Sequence, residues 1–140
     1  MTRRTLVLLD AGLEMMTGAA LIADPNLVSL LLLGVGLSGG GIAVGRVAGL
    51  GLLSLGIACW SPGADATAQT TRALLTYNLL AALYLAYLRI DGGFAGYLLW
   101  PAIVLHALLT LLLARPAYQT VRPEELGPIS KDSGPSNSTW

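Results

Sequence analysis

Apolar residues in this chain occur in long blocks separated by short polar or glycine- and proline-rich clusters, without the strict alternation of a half-buried strand. The first block, 5–23, would make a helix about 28 Å long, close to the roughly 30 Å hydrocarbon thickness of a bilayer. Asp24-Pro25-Asn26 closes it. The next block, 27–60, would be about 50 Å long as one helix, too long for a single crossing and too short for two with a turn. It has to break, and Ser38-Gly39-Gly40-Gly41 is the natural place, because consecutive glycines weaken a helix and permit unusual backbone angles. The pattern therefore predicts a short interfacial or re-entrant helix over 28–37 and a second span over 40–60.

Ser61-Pro62-Gly63-Ala64-Asp65 reads as a turn, followed by a third span over 70–88 and a second turn at Arg89-Ile90-Asp91-Gly92-Gly93. A fourth span is predicted over 94–114. Pro101 inside it removes the hydrogen bond to the Tyr97 carbonyl, so a kink is expected. Residues 116–140 are rich in proline and serine and are expected to be an extended tail. The resulting expectation is an all-α integral membrane four-helix bundle over 1–115, with the short helix between spans 1 and 2.

Composition strengthens the membrane reading. Of 140 residues, 54% are hydrophobic and 11% charged, with a mean hydropathy of +0.68, whereas roughly 25% of residues are charged in soluble domains. The eight basic and eight acidic side chains cancel, so charge offers no footprint for nucleic acid. Cys59, the single cysteine, excludes an internal disulfide and a cysteine-based zinc or iron-sulfur site within one chain. Arg3 and Arg4 before an apolar run raise a secretory signal, but Asp10 and Glu14 interrupt that run and no A-x-A site closes it.

Near the span ends, Arg3, Arg4, Arg72, Arg115, Arg122 and Lys131 fall on one side and Arg89 on the other, which predicts both termini in the cytoplasm of a bacterial inner-membrane protein. Trp60, Tyr97, Trp100 and Tyr118 suit interfacial anchors.

Gly41, Gly45 and Gly49, with Gly56 further along, leave a strip of the second span without side chains, where another helix can approach closely. Gly12 and Gly18, or Ala81 and Ala82, are the candidate partner surfaces. Gly34-x-Gly36 and the glycines after it lack the preceding strand and following lysine of a phosphate loop.

Candidate chemistry lies in the polar residues inside the spans. Asp10 and Glu14 are one helical turn apart, so their carboxylates share a face that Thr17 continues. An ionised carboxylate at mid-membrane costs about 2.5–3.5 kcal/mol even on the lenient insertion scale, so a cation, a shared proton or water should compensate it. Arg46 of the second span is the expected partner of Glu14, the two lying roughly 10 and 14 Å below the outer boundary when rises are counted from the predicted ends. Asn78 and His106 come out at roughly 16 and 18 Å and Asp10 at roughly 20 Å, so every span contributes a polar group to a central slab.

If Asp10, Glu14, Arg46, Asn78 and His106 all face inward, the cluster carries one net negative charge that protonated His106 would neutralise. The cluster either fixes helix register as buried pairs or forms a proton relay or ligand site. For His106 alone, a hydrogen bond to Asp10 or Thr110 is the plainer expectation. Tyr77 and Tyr84 share a face and are expected to pack between helices.

Trp100-Pro101-Ala102 followed by His106 resembles the last helix of small bacterial four-helix membrane proteins of the DoxX-like kind, a resemblance that covers 5–115 and implies no catalytic residue. Ala102-x-x-x-His106 is similar to the alanine and histidine pair of bacterial antenna polypeptides, which implies bacteriochlorophyll or haem ligation by His106. Three functions are expected to compete. One is an accessory or assembly subunit of a larger membrane complex, a bioenergetic one included, or of a homo-oligomer, docking through its tail. The second is a proton-coupled carrier or channel using the intramembrane cluster, and the third a pigment- or haem-binding protein. No nucleophile-and-base set or metal motif argues for an enzyme.

Overall fold

The computed structural model describes residues 2–60 and 68–119, with side chains to Ala114, and every regular element among them is a helix. Helix α1 (Arg3–Ala23) starts where the Thr2 hydroxyl accepts from the Thr5 N–H at 3.3 Å. The single residue Asp24 ends α1 and begins α2 (Pro25–Leu33), its carboxylate accepting from the Leu27 N–H at 2.9 Å. Pro25 occupies the first helical position, where a missing N–H leaves no bond unmade.

The long apolar block breaks at Gly34, not at the three consecutive glycines. Gly34 takes a left-handed φ of 78° and its N–H reaches the carbonyls of Leu30 and Ser29, the usual way a glycine terminates a helix. Side chains of α2 then hold the connecting turn: Ser29 Oγ donates to the Val35 carbonyl at 2.7 Å, and Asn26 Oδ1 accepts from the Leu37 N–H at 2.8 Å. Gly39, Gly40 and Gly41 form the first turn of α3 (Gly39–Cys59), without positive φ.

Helices α4 (Ala68–Ile90) and α5 (Leu99–Gln119) complete the described part of the chain. The expected start at residue 94 is corrected, because 94–98 are irregular and their backbone serves α2 instead: Ala95 and Leu98 donate to the carbonyls of Leu33 and Leu31 at 3.2 and 2.9 Å. Gly96 lies so close to the Leu32 carbonyl that no Cβ fits there. Pro101 thus falls in the first turn of α5, where its absent N–H is one of the donors a helix leaves unpaired anyway, and the reason for a kink disappears. At its other end α5 continues through Pro116 to Gln119, beyond the expected stop at 114. The turn at 61–67 and the tail from 120 onward lie outside the described residues.

Helix α1 packs along α3, and α4 along α5. In the first pair Gly45 meets Pro25, Gly49 meets Gly18, Leu21 and Ile22, and Gly56 meets Ala11 and Met15. Gly41 instead faces Leu37 of its own chain segment, and Gly12 has room, with Trp60 3.6 Å from where a Cβ would sit. Where the two pairs meet, Leu6, Val7, Ala11, Cys59, Leu74 and Leu113 form an apolar cluster.

Three helices, α1, α3 and α4, are long and apolar enough to cross a membrane, and the apolar stretch Leu99–Ala114 is shorter. Large apolar side chains such as Met16, Val44, Val47, Leu83 and Leu111 stand exposed around the molecule, a surface suited to a lipid environment.

Candidate functional site: a buried carboxylate pair

The Asn78 side chain joins three helices. Its Nδ2 donates to Asp10 Oδ2 at 2.8 Å and to the Leu74 carbonyl at 2.9 Å, and its Oδ1 faces His106 Nδ1 at 2.8 Å. The Leu74 carbonyl can only accept, so the atom facing it is the amide nitrogen. The other amide atom is then the oxygen, which can only accept. His106 Nδ1 therefore carries a hydrogen and donates it, and its Nε2 is the second ring nitrogen, with no hydrogen-bond partner among the described residues.

Asp10 is fully buried, and its second oxygen, Oδ1, has no hydrogen-bond partner among the described residues. Glu14, one turn further along α1, is 3% exposed and accepts from the Tyr77 hydroxyl. The Tyr77 ring meets His106 edge-on, centroids 5.9 Å apart and planes at 80°. The site is thus a connected polar group, Glu14–Tyr77 beside Asp10–Asn78–His106, built by one turn of α1, two neighbouring residues of α4 and one of α5. Its sequence logic is local: four-residue spacing puts the two carboxylates on one stripe of α1. Asn78 shares a stripe with Leu74 and the buried Thr71.

Arg46 does not belong to this group, which corrects the expected pair with Glu14. It is exposed on α3. Because Gly45 meets Pro25 while Gly56 meets Ala11 and Met15, Arg46 lies level with the end of α1, about ten rises or 15 Å from the level of Glu14. Helix α2 adds length beyond α1, and α3 begins beside it, so the two spans are offset and depths counted separately from their ends do not compare.

His106 bonds to neither Asp10 nor Thr110 through its ring; the Thr110 hydroxyl donates to the His106 backbone carbonyl at 2.7 Å. Tyr77 and Tyr84 also part company. Tyr77 joins the site, whereas Tyr84 is 61% exposed and stacks on Tyr87 with centroids 6.4 Å apart. Sequence reasoning missed Tyr77 as a site residue, although its place next to Asn78 was a usable signal. It also missed Thr71, whose hydroxyl accepts from Arg3 Nε at 2.9 Å and which lies two turns from Asn78.

Among the described residues no group of three or more His, Cys, Asp or Glu side chains could hold a metal ion. Cys59 belongs to the apolar cluster. The arrangement can handle protons through hydrogen bonds: Asp10 is joined through the Asn78 amide to His106, and Glu14, one turn away, accepts from Tyr77. Comparison with protein-family models, with curated proteins and with solved structures finds no match.

Proposed function

We propose that this chain is a four-span bacterial inner-membrane protein, both termini cytoplasmic, in which Asp10 and Glu14 carry protons, or a substrate coupled to protons, across the bilayer. The observation that supports the reading most is the Asp10 Oδ1 atom, buried and without a hydrogen-bond donor among the described residues, beside a second buried carboxylate. No salt bridge reaches either acid among the described residues. Two ionised carboxylates side by side in an apolar medium repel each other and lack hydration, so such a pair is built to hold a proton. Asn78 and Tyr77 donate one hydrogen bond to each acid and keep both in place whichever of them is ionised.

In proteoliposomes carrying the purified chain, a pH gradient is expected to drive proton flux that Glu14→Gln abolishes while the variant stays folded. Equal flux through both proteins would reject the reading.

A second reading, an accessory subunit of a larger membrane assembly, draws on the exposed Arg46 of α3. A cation on an apolar helix face needs a counter-charge, from a lipid headgroup or from another protein. The tail expected to dock such a partner lies, from residue 120, outside the described residues.

A further inference from the structure

We infer that His106 is the counter-charge of Asp10: it takes up a proton at Nε2, and the Asn78 amide between the two makes that uptake and the ionisation of Asp10 favour each other. The inference rests on the proton-carrying reading for its role in transport, and it names a second proton-binding group of the same site.

Hydrogen-bond directions fix where protons can sit. The Leu74 carbonyl accepts from Asn78 Nδ2 at 2.9 Å, so the amide cannot turn over without setting its own oxygen against that carbonyl oxygen. Held this way, its oxygen faces His106 Nδ1 at 2.8 Å and its nitrogen donates to Asp10 Oδ2 at 2.8 Å. Nδ1 therefore keeps its hydrogen in both charge states of the ring. Nε2 is the ring atom left to gain one: its lone pair takes a proton from the aqueous phase, an Nε2–H bond forms, and release breaks that bond again. Asp10 Oδ2 is likewise held as an acceptor, so a proton on Asp10 sits on Oδ1. Neither uptake breaks a hydrogen bond of the Asp10–Asn78–His106 chain.

The amide transmits charge and not protons. Its negative end, the oxygen, points at His106 and its positive end, the N–H, at Asp10, so its dipole stabilises a cation at the first and an anion at the second. Handing the Nδ1 hydrogen along would leave Asn78 as its imidic-acid tautomer, and resetting it needs the turn that the Leu74 carbonyl opposes. Among the described residues, the titratable side chains that face the site are Asp10 and Glu14 on α1, Cys59 on α3, Tyr77 on α4 and His106 on α5, and of these the imidazole alone becomes positive. Arg3 bonds to Thr71, seven residues or about 10 Å along α4 from Asn78, and Arg46 is exposed on α3. The Tyr77 ring, whose hydroxyl donates to Glu14, also meets His106. Each acid thus has as its partner an α4 residue that touches the histidine.

The test uses the full chain in lipid bilayers, purified without a histidine tag. His106 is the one histidine of the sequence, so isotope-labelled histidine gives ring-nitrogen resonances of this residue alone. In the parent chain the neutral ring is expected to carry hydrogen on Nδ1 and none on Nε2, and lowering the pH should add the Nε2 hydrogen. Asp10→Asn, which keeps an acceptor oxygen for Asn78, should leave the tautomer unchanged and weaken proton binding by His106 about tenfold, one pH unit. A neutral parent ring with hydrogen on Nε2, a ring that never protonates while the chain is folded, or equal titration of the parent and Asp10→Asn overturns the inference. In Asn78→Leu the two neutral tautomers should mix and Asp10→Asn should lose most of its effect; a tautomer still confined to Nδ1–H would remove Asn78 as what sets it. The comparison of the parent with Asp10→Asn decides the matter even where Asn78→Leu does not fold. Ring resonances read protonation without flux. The expected resonances with no flux would remove the carrier reading and leave the coupling standing, whereas flux that Glu14→Gln abolishes, with a His106 indifferent to Asp10, would do the reverse.

Discussion

The contact between α1 and α3 and the junction between the two helix pairs are built on different physics. Along α1 and α3 the backbones touch: a Cβ at Gly18 would lie 2.6 Å from Leu53 N, one at Gly49 2.7 Å from the Gly18 carbonyl oxygen, and one at Gly56 2.7 Å from the Ala11 carbonyl oxygen. The junction of α1 with α4 and α5 is instead marked by named polar bonds, Arg3 to Thr71, Asp10 to Asn78 to His106, and Tyr77 to Glu14. Lipid tails are as apolar as leucine, so burying apolar surface does little to drive helices together, and close van der Waals packing and interhelical hydrogen bonds take over. The first makes α1 and α3 one rigid unit. The second depends on which atoms carry protons, so the junction is the part of the molecule that protonation can alter.

Breaking the glycine contact should have the largest effect. In Gly18→Leu the new side chain meets the backbone of α3, which cannot move aside without parting the helices, and overpacking of this kind costs about 1–3 kcal/mol or more. The expected outcome is a large fall in the unfolding midpoint in mixed micelles, or no folded protein. Gly51→Leu is the control, because nothing lies within 4 Å of a Cβ there, and it should behave nearly as the parent chain. Equal effects at the two positions would remove close packing as what joins the pair.

Breaking the polar junction should cost less. Asn78→Leu removes the donor to Asp10 Oδ2 and the acceptor of His106 Nδ1 together. Leaving buried polar groups without partners costs about 1–3 kcal/mol. The Asp10–Asn78 bond itself, isolated by a double-mutant cycle with alanine at each position, should contribute about 0.6 kcal/mol and no more than about 1.7 kcal/mol. A coupling near zero would show that the bond forms without holding the pairs together. Its contribution to stability should therefore be smaller than that of the glycine contact, although the proposed chemistry resides there.

How much of this was legible in the sequence differs between the two regions for the same physical reason. The ends of α1, α3 and α4 fall within two residues of the apolar block boundaries, because charged and turn-forming clusters stop a span on both counts. Gly45 and Gly49 could be read as a contact surface from spacing alone, whereas Gly41 could not be told apart from them, since its neighbour Leu37 arrives only through the turn after Gly34. The helix break was misplaced because a single glycine with φ of 78° terminates a helix as well as three in a row, and φ is not written in the residue type. In the polar region, the spacing of Asp10 and Glu14 sufficed to place both on one face. Which residues of other helices meet them depends on the offset between helices, and that offset comes from α2, an element whose position no periodicity reveals.

Arg46 is where that offset can be tested most sharply, and there the smallest effect is expected. Removing the partner of a buried carboxylate leaves an uncompensated charge and costs about 3–5 kcal/mol. An exposed side chain away from special features changes stability by only about 0.5 kcal/mol or less. Arg46 is exposed and lies near the level of the α1 end, so Arg46→Gln should leave the unfolding midpoint of the isolated chain unchanged and its proton flux intact. A loss comparable to that of Asn78→Leu would return Arg46 to the carboxylates and undo the register that the glycine contacts describe. If the accessory-subunit reading holds, the same substitution gives a different signature: an unchanged midpoint, but weaker retention of a fixed-stoichiometry partner in mild detergent. Arg46 would then act outside the chain, at the face of α3 that α1 does not cover.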